Sequence, residues 1–418
     1  MTAQNWIIVL IALSSILFPH RSVLAQDSIS FKIHRLAVDA NEGMAAADVD
    51  GDGKLDLIAG RFWYRNPDWT PRPLRIIEDW NGYVQSNGDY VFDVNNNGRP
   101  DIVAGSFLPS QVFWYENPGE RGLRLGQMWR KRLLADTQQS NNEGVLFVDL
   151  DGDGVPEWIA NSWVKDVPMY VCRLIPKAAA DTKPDPKDAN RALESSSYSA
   201  AFELVSVQIG SSGNGHGLGV GDLNGDGKPD ILVGQGWYEQ PAENPWSNEW
   251  KFHPVWDLTA SLPMLVVDVN GNGRNDIIYG NGHDYGLFWW ENKGVGQDGE
   301  IEFAEHLIDR EYSQPHSLAW ADLTGDGKPE LITGKRYYAH NGNDPGGEEM
   351  PCLYYYSFDS LRSKFKRHTI NEGRVGTGLQ IVVADFNADG LNDIAVAGKS
   401  GTYILINQGN SSQHQNND

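Results

Sequence analysis

Asp48-Val49-Asp50-Gly51-Asp52-Gly53-Lys54-Leu55-Asp56 decides how this chain is read, because acids alternate with glycine over nine residues and an apolar run, Leu57-Ile58-Ala59-Gly60, follows at once. The same pattern returns at Asp93, Asp149, Asp222, Asp268, Asp322 and Asp385, making seven copies spaced 45 to 73 residues apart. A unit recurring at that interval is one supersecondary element with loops of variable length, so the 418 residues read as a repeat array. Other copies also run into β-branched stretches closed by glycine, such as Ile102-Val103-Ala104-Gly105, Ile231-Leu232-Val233-Gly234 and Ile277-Ile278-Tyr279-Gly280, which read as short strands.

Positions 1, 3, 5 and 9 of the repeat carry side-chain oxygens. The first four copies present Asp48, Asp50, Asp52 and Asp56; Asp93, Asn95, Asn97 and Asp101; Asp149, Asp151, Asp153 and Glu157; and Asp222, Asn224, Asp226 and Asp230. The last three present Asp268, Asn270, Asn272 and Asp276; Asp322, Thr324, Asp326 and Glu330; and Asp385, Asn387, Asp389 and Asp393. Oxygens converging on a tight turn, with glycine at position 6, are the ligand set of a hard cation, and calcium takes six to eight of them. An EF-hand is excluded, since it needs Glu at position 12 between helices and the first copy has Ala59 there, inside a strand. A dockerin-type module would likewise place helices after the loop. A merely polar turn explains one such loop but not seven in register. The acid counts are 4, 2, 4, 3, 2, 3 and 3, so the second and fifth loops are expected to bind calcium more weakly.

The same loops account for the charge. Lys and Arg total 34 against 56 Asp and Glu, a net of −22, and 21 of the acids lie in the seven loops. That balance excludes a nucleic-acid partner, which needs a basic face, while 40% apolar and 11% aromatic residues exclude disorder.

Residues 1–25 read as a signal peptide: Trp6 to Phe18 is apolar but too short to span a bilayer, and Val23-Leu24-Ala25 offers a cleavage site after Ala25. No later stretch is long and apolar enough for a membrane span, so the mature chain is expected to be secreted or periplasmic. Cys172 and Cys352 sit on apolar, strand-like stretches and read as two buried free thiols.

Seven copies of Asp-x-[Asp/Asn]-x-[Asp/Asn]-Gly-x-x-[Asp/Glu], each between short strands, resemble the FG-GAP or VCBS repeats of integrin-α-type propellers. The resemblance covers residues 30–407. It implies an all-β, seven-bladed β-propeller with calcium, up to seven ions, in the hairpin loop of each blade. Members of that family include adhesion receptors, fungal lectins and the propeller of aldos-2-ulose dehydratase, so the motif is informative about fold and not about activity.

The residues support a closed ring on their own. Trp250-Lys-Phe-His253, Phe303-Ala-Glu-His306 and Lys364-Phe-Lys-Arg-His368 read as outer strands, and Phe31-Lys-Ile-His34 has the same character ahead of the first loop. Only two strands remain after the last loop, so Phe31 to Leu36 is expected to complete the seventh blade and leave no long edge. The domain is therefore 26–407, with a surface insertion at 176–200 and a polar tail at 408–418. The aromatic runs Phe113-Trp114-Tyr115 and Phe288-Trp289-Trp290 read as core between blades.

Function is expected at the mouth opposite the loops, where strand direction brings together residues six before and twelve to fifteen after each first Asp. In a first reading Trp63, Trp163 and Trp237, with Tyr337, stack on sugar rings while Glu42, Glu143, Asn161 and Gln235 bond hydroxyls, and Arg61 and His340 join this carbohydrate-binding surface. In a second, His216, His316 and His283 bind a transition metal or act as bases, and Lys335, Arg336 and Tyr337 supply cations and a phenol for a sugar dehydratase or lyase. An adhesion or scaffolding module is the third reading. Ligand identity, enzymatic activity and oligomeric state lie beyond the sequence.

Overall fold

The runs that follow the loops are buried at every position: Asp56–Ala59, Asp101–Ala104, Glu157–Ala160 and Asp230–Val233 are strands covered on both faces. That double covering is why they read as continuous apolar stretches rather than as an alternation. The structure, a computed structural model, describes residues 29–80, 83–177 and 200–410. The signal segment, most of the 176–200 insertion and the end of the tail lie outside the described residues.

Five four-stranded antiparallel sheets and one eight-stranded sheet make up an all-β propeller. In the first, Ala45–Ala47, Asp56–Ala59, Phe62–Tyr64 and Pro71–Pro73 pair in chain order, with the calcium-type loop turning the first strand into the second. Six of the seven repeats follow this plan. The eight-stranded sheet is two such sets joined along their first strands, Gly217–Gly221 and Ser261–Val267, which run parallel. The first strands surround one axis: Met44, Tyr90, Val145, Val220, Leu265, Leu318 and Val382, one from each repeat, line a shared cavity of about 430 Å³.

The strand Ile29–Ala37 pairs with Gly401–Asn410, placing Phe31 opposite Asn407 and Ile33 opposite Leu405. Gly401–Asn410 runs three residues beyond the expected end of the domain at Asn407. The expected outer strands are present as Lys251–His253, Ile301–Ser313 and Lys364–Glu372.

The loops fold by local hydrogen bonding. The Asp48 carboxylate accepts the amides of Gly51, Asp52 and Gly53, and Asp56 accepts those of Val49 and Asn66. Position four as well as position six is left-handed; the seventh loop places Ala388 there at φ 60°, a conformation that strains a residue with a Cβ.

Between sheets the side chains interlock as the sequence suggests. Trp114 and Trp289 are buried, each a side chain whose removal would cost ~3–5 kcal/mol. In five of the seven repeats a side-chain amide at the end of the third strand then ties the loop to its predecessor. Asn117 donates to the Val49 carbonyl, Gln240 to Leu150, Asn292 to Leu223 and Asn407 to Leu323. Asn66 closes the same pattern on Phe386, 320 residues away. Cys172 and Cys352 are buried and unbonded to each other. Among the described residues no helix is long and apolar enough to cross a membrane.

Candidate metal centre

The nine-residue loops place their oxygens on one face of the propeller. Acid oxygens of Asp48, Asp50 and Asp56, and of Asp149, Asp151 and Glu157, come within 4.8 Å of one another. Burial pushes all seven position-nine carboxyls up, Asp101, Glu157 and Asp230 to about 7 and Asp56 and Asp393 to about 6, and the other acids of each loop add to the rise. Position nine is also a structural pin, because one of its oxygens accepts the position-two amide in every copy. The orphaned Oδ1 atoms of Asp50 and Asn95, buried without a hydrogen-bond partner, fit a cation as the missing partner.

The opposite mouth is assembled once, from four repeats. Glu143 and His216 lie just before the first strands of their units, His316 at the start of its own, and His283 follows a second strand. Their ligand atoms lie within 4.8 Å of one another. Three imidazole Nε2 atoms meet on one carboxylate: His216 contacts Glu143 Oε2 directly, His283 is 3.4 Å from the same oxygen, and His316 is 3.4 Å from Oε1. The Nε2 atoms of His216 and His283 are 3.3 Å apart. His316 is fully buried and neither ring nitrogen has a hydrogen-bond partner. Burial, with Arg336 nearby, depresses its pKa to about 4, so the ring is neutral with a lone pair to donate.

Surrounding groups fix this arrangement. Asp344 holds His283 Nδ1 at 3.0 Å, which turns Nε2 toward Glu143; burial alone would lower the His283 pKa, but Glu143 and Asp344 raise it. The same Asp344 holds His340 Nδ1 at 3.0 Å, and the His340 ring stacks on His283 at 4.4 Å. Behind Glu143, the Arg336 guanidinium bridges two carboxylates: Nη1 donates to Glu143, and Nε and Nη2 donate to Glu42 at 3.0 and 2.8 Å. Lys399 adds a third bond to Glu42 at 2.9 Å. Burial alone would raise the Glu42 and Glu143 carboxyls, but Arg336, with Lys399 at Glu42 and His216 at Glu143, holds both far below the usual range. Three imidazole nitrogens and one carboxylate, with His283 held from behind by Asp344 and Glu143 by Arg336, fit a borderline-soft divalent ion such as zinc or iron.

The mouth thus unites Glu42, Glu143, His216, His283, His316, Arg336 and His340. Other expected members are elsewhere. Trp63 and Trp237 are each only 2% exposed; Arg72 covers the first and His253 stacks on the second at 4.1 Å, so neither offers a face to a sugar. Lys335 is buried and points to Ser313 and the Gly346 carbonyl. Asn161 is buried and accepts the Glu143 and Gly144 amides, serving as a scaffold for Glu143. Arg61 pairs at the rim with Asp39 and Asp79. Trp163 is exposed, and Gln235 and Tyr337 are half-buried. Two members were not foreseen. Lys399 lies fourteen residues after Asp385, within the expected window, whereas Asp344 falls in an irregular connection with no periodic signal.

Comparisons with known proteins agree with the architecture. The FG-GAP-like repeat model matches residues 93–160 and 268–333, and the FG-GAP repeat model matches 214–242. No curated protein matches the chain. Among solved structures, a crystal structure of BBS1N in complex with ARL6DN, soaked with mercury, matches at TM-score 0.50 and 10% identity, over 91% of this chain and 95% of that one. The same complex soaked with lead matches at TM-score 0.49 and 11% identity, over 90% and 95%.

Proposed function

The chain belongs to the FG-GAP-repeat β-propellers, and from that premise we propose an exported, calcium-stabilised propeller whose mouth carries a transition-metal centre acting on a carbohydrate-type ligand. The eight-stranded sheet counts as two blades, giving seven, and Ile29–Ala37 closes the ring as the outer strand of the last. The loops hold calcium.

One observation carries the reading: three imidazole nitrogens converge on the Glu143 carboxylate while His316, fully buried, has no hydrogen-bond partner at either nitrogen. Leaving such a group unpaired costs about 1–3 kcal/mol, and a metal–ligand bond removes that cost. An ion held there supplies Lewis-acid polarisation of a ligand oxygen. Arg336 keeps Glu143 ionised and in place, Asp344 fixes the His283 tautomer, and His340, 43% exposed at its side chain, is the imidazole positioned to take a proton from a ligand entering from solvent.

The supported chemistry is elimination. A proton beside a carbonyl passes to an imidazole, its C–H electron pair forms a C=C bond, and the neighbouring C–O bond breaks as its oxygen takes up a proton. The pure binding reading is weakened because two of its aromatic platforms, Trp63 and Trp237, are core residues.

The test is metal analysis of the purified chain with anomalous scattering from a crystal, alongside His316→Ala. About one transition-metal ion per chain, lost in the variant, is the expected result. A metal-free wild-type mouth would sink the centre. With metal bound, failure to release an ultraviolet-absorbing unsaturated product from any acidic or neutral polysaccharide would leave a metal-dependent binder.

A further inference from the structure

We infer that Lys335, whose ammonium bonds to none of the four converging groups of the mouth, is a positioning residue: it latches the segment that follows it and so keeps Asp344 behind His283. The inference rests on the metal centre proposed above and adds to it the residue that anchors its outer wall.

The segment leaves the strand Glu330–Lys335 and ends at the strand Cys352–Asp359. It carries Arg336, His340 and Asp344, three members of the mouth. Its backbone does not favour this path. Tyr338, His340 and Asn341 have φ of 55°, 46° and 56°. A left-handed backbone strains a residue with a Cβ, and three such residues within four positions persist only where contacts from outside hold them.

Those contacts form a latch at the far end of the segment. The Lys335 ammonium is fully buried and donates to Ser313 Oγ and to the Gly346 carbonyl. Tyr285 donates to Glu349 at 2.6 Å, and Glu349 lies 3.8 Å from Lys335 Nζ. Gly346 fits among these groups only as glycine. Its φ is 67°, and a Cβ there would lie 2.5 Å from the Tyr285 hydroxyl and 2.6 Å from Ser313 Oγ. Nearer the strand, Gln314 holds both sides: its Nε2 donates to Asp344 at 3.1 Å, and its carbonyl accepts the Arg336 amide at 2.9 Å.

A buried ammonium is costly to keep, and the mouth has no electrostatic use for this one, because Arg336 already bridges Glu42 and Glu143. What its bonds fix is a position. Asp344 lies two residues before the pinned Gly346 carbonyl, and it is the carboxylate that holds both His283 and His340 at 3.0 Å. Without the latch the left-handed residues can relax, and Asp344 is then free to leave His283. An imidazole that loses the partner behind it is a poorer metal ligand.

The test is zinc titration of the full chain in saturating calcium, with zinc chloride as the probe and the mouth site identified as the one lost in His316→Ala. Lys335→Met keeps an unbranched side chain and removes both bonds; Gly346→Ala displaces the same carbonyl from its other side. Each should weaken zinc binding roughly tenfold to a hundredfold, as Asp344→Asn should. Lys335→Met/Asp344→Asn should bind no more weakly than Asp344→Asn alone, because both changes act through one hydrogen bond, whereas a general loss of stability would add. In the metal-free chain, hydrogen exchange at residues 339–349 should be faster in Lys335→Met, with circular dichroism confirming the fold. Unchanged zinc affinity in both latch variants, losses that add in the double variant, or unchanged exchange would each overturn the inference. A wild type that binds no zinc at the mouth would instead overturn the metal centre, and the inference with it.

Discussion

The two faces of this propeller cluster ionisable groups in opposite ways. On the loop face each cluster is local: its acids lie within nine residues, and the arrangement repeats seven times. At the mouth one cluster draws Glu42, Glu143, His216, His283, His316 and Arg336 from across nearly 300 residues. Loop acids are crowded beyond what their own neighbourhood neutralises, and burial raises a carboxyl in each. Mouth acids are matched: Arg336 and Lys399 answer Glu42, and Arg336 answers Glu143. The proposed calcium would therefore stabilise the first face by neutralising its acids, whereas the carboxylates of the second are already answered by cations of the chain.

Removing calcium should produce the largest difference between the faces. With several sites each worth ~3 kcal/mol at saturating calcium, excess chelator should lower Tm by roughly 15 °C or more in a thermal scan. An unchanged Tm would remove the proposed asymmetry.

Arg336→Ala attacks the matched face instead. It strands two buried carboxylates and should cost about 3–5 kcal/mol in urea unfolding, with calcium present. A loss below ~1 kcal/mol would mean that the mouth is not electrostatically closed.

The pH dependence gives a third contrast. Burial would raise Glu42, but Arg336 and Lys399 carry it below its ordinary value of 4.5. A depressed carboxyl stabilises the fold fully above that ordinary value and loses the contribution as pH falls below it. Glu42→Gln should therefore flatten the stability profile below about pH 4.5 and lower the plateau above it. A profile identical to wild type would place the acid sensitivity elsewhere.

The smallest effect is on the loop face. Ala388 holds a left-handed conformation that glycine occupies in five other copies and Asn96 in one. Ala388→Gly should stabilise the chain by ~1 kcal/mol, visible as a small rise in Tm with calcium bound. A fall would show that Ala388 is not strained.

Much of both faces was readable in advance, for a reason specific to repeats. A nine-residue motif fixes strand direction, and direction fixes which end of the strand a residue six before or fourteen after must reach. Glu42, Glu143, His216 and His316 follow the first offset, and Arg336 and Lys399 the second. Burial was less readable. Trp63 and Trp237 have the right offset for the mouth but turn into the gap between sheets, because alternate residues of a strand face opposite ways and the offset does not report which. Asp344 was invisible, since it reaches the mouth through the irregular connection after Glu330–Lys335 and no period applies there.

The loops show the limit most clearly. Only strand pairing puts Glu116 and Glu291 against Asn95 and Asn270, more than twenty residues downstream of each loop's first Asp. By itself the sequence determined the repeat, the turn chemistry and the end of the molecule to which each side chain is carried, because these depend on neighbours a few residues apart. Tertiary structure alone decided which imidazoles share a carboxylate, which tryptophans are core and which third-strand charge meets which loop. Those are contacts between residues that only the packing of strands and blades brings within a few ångströms.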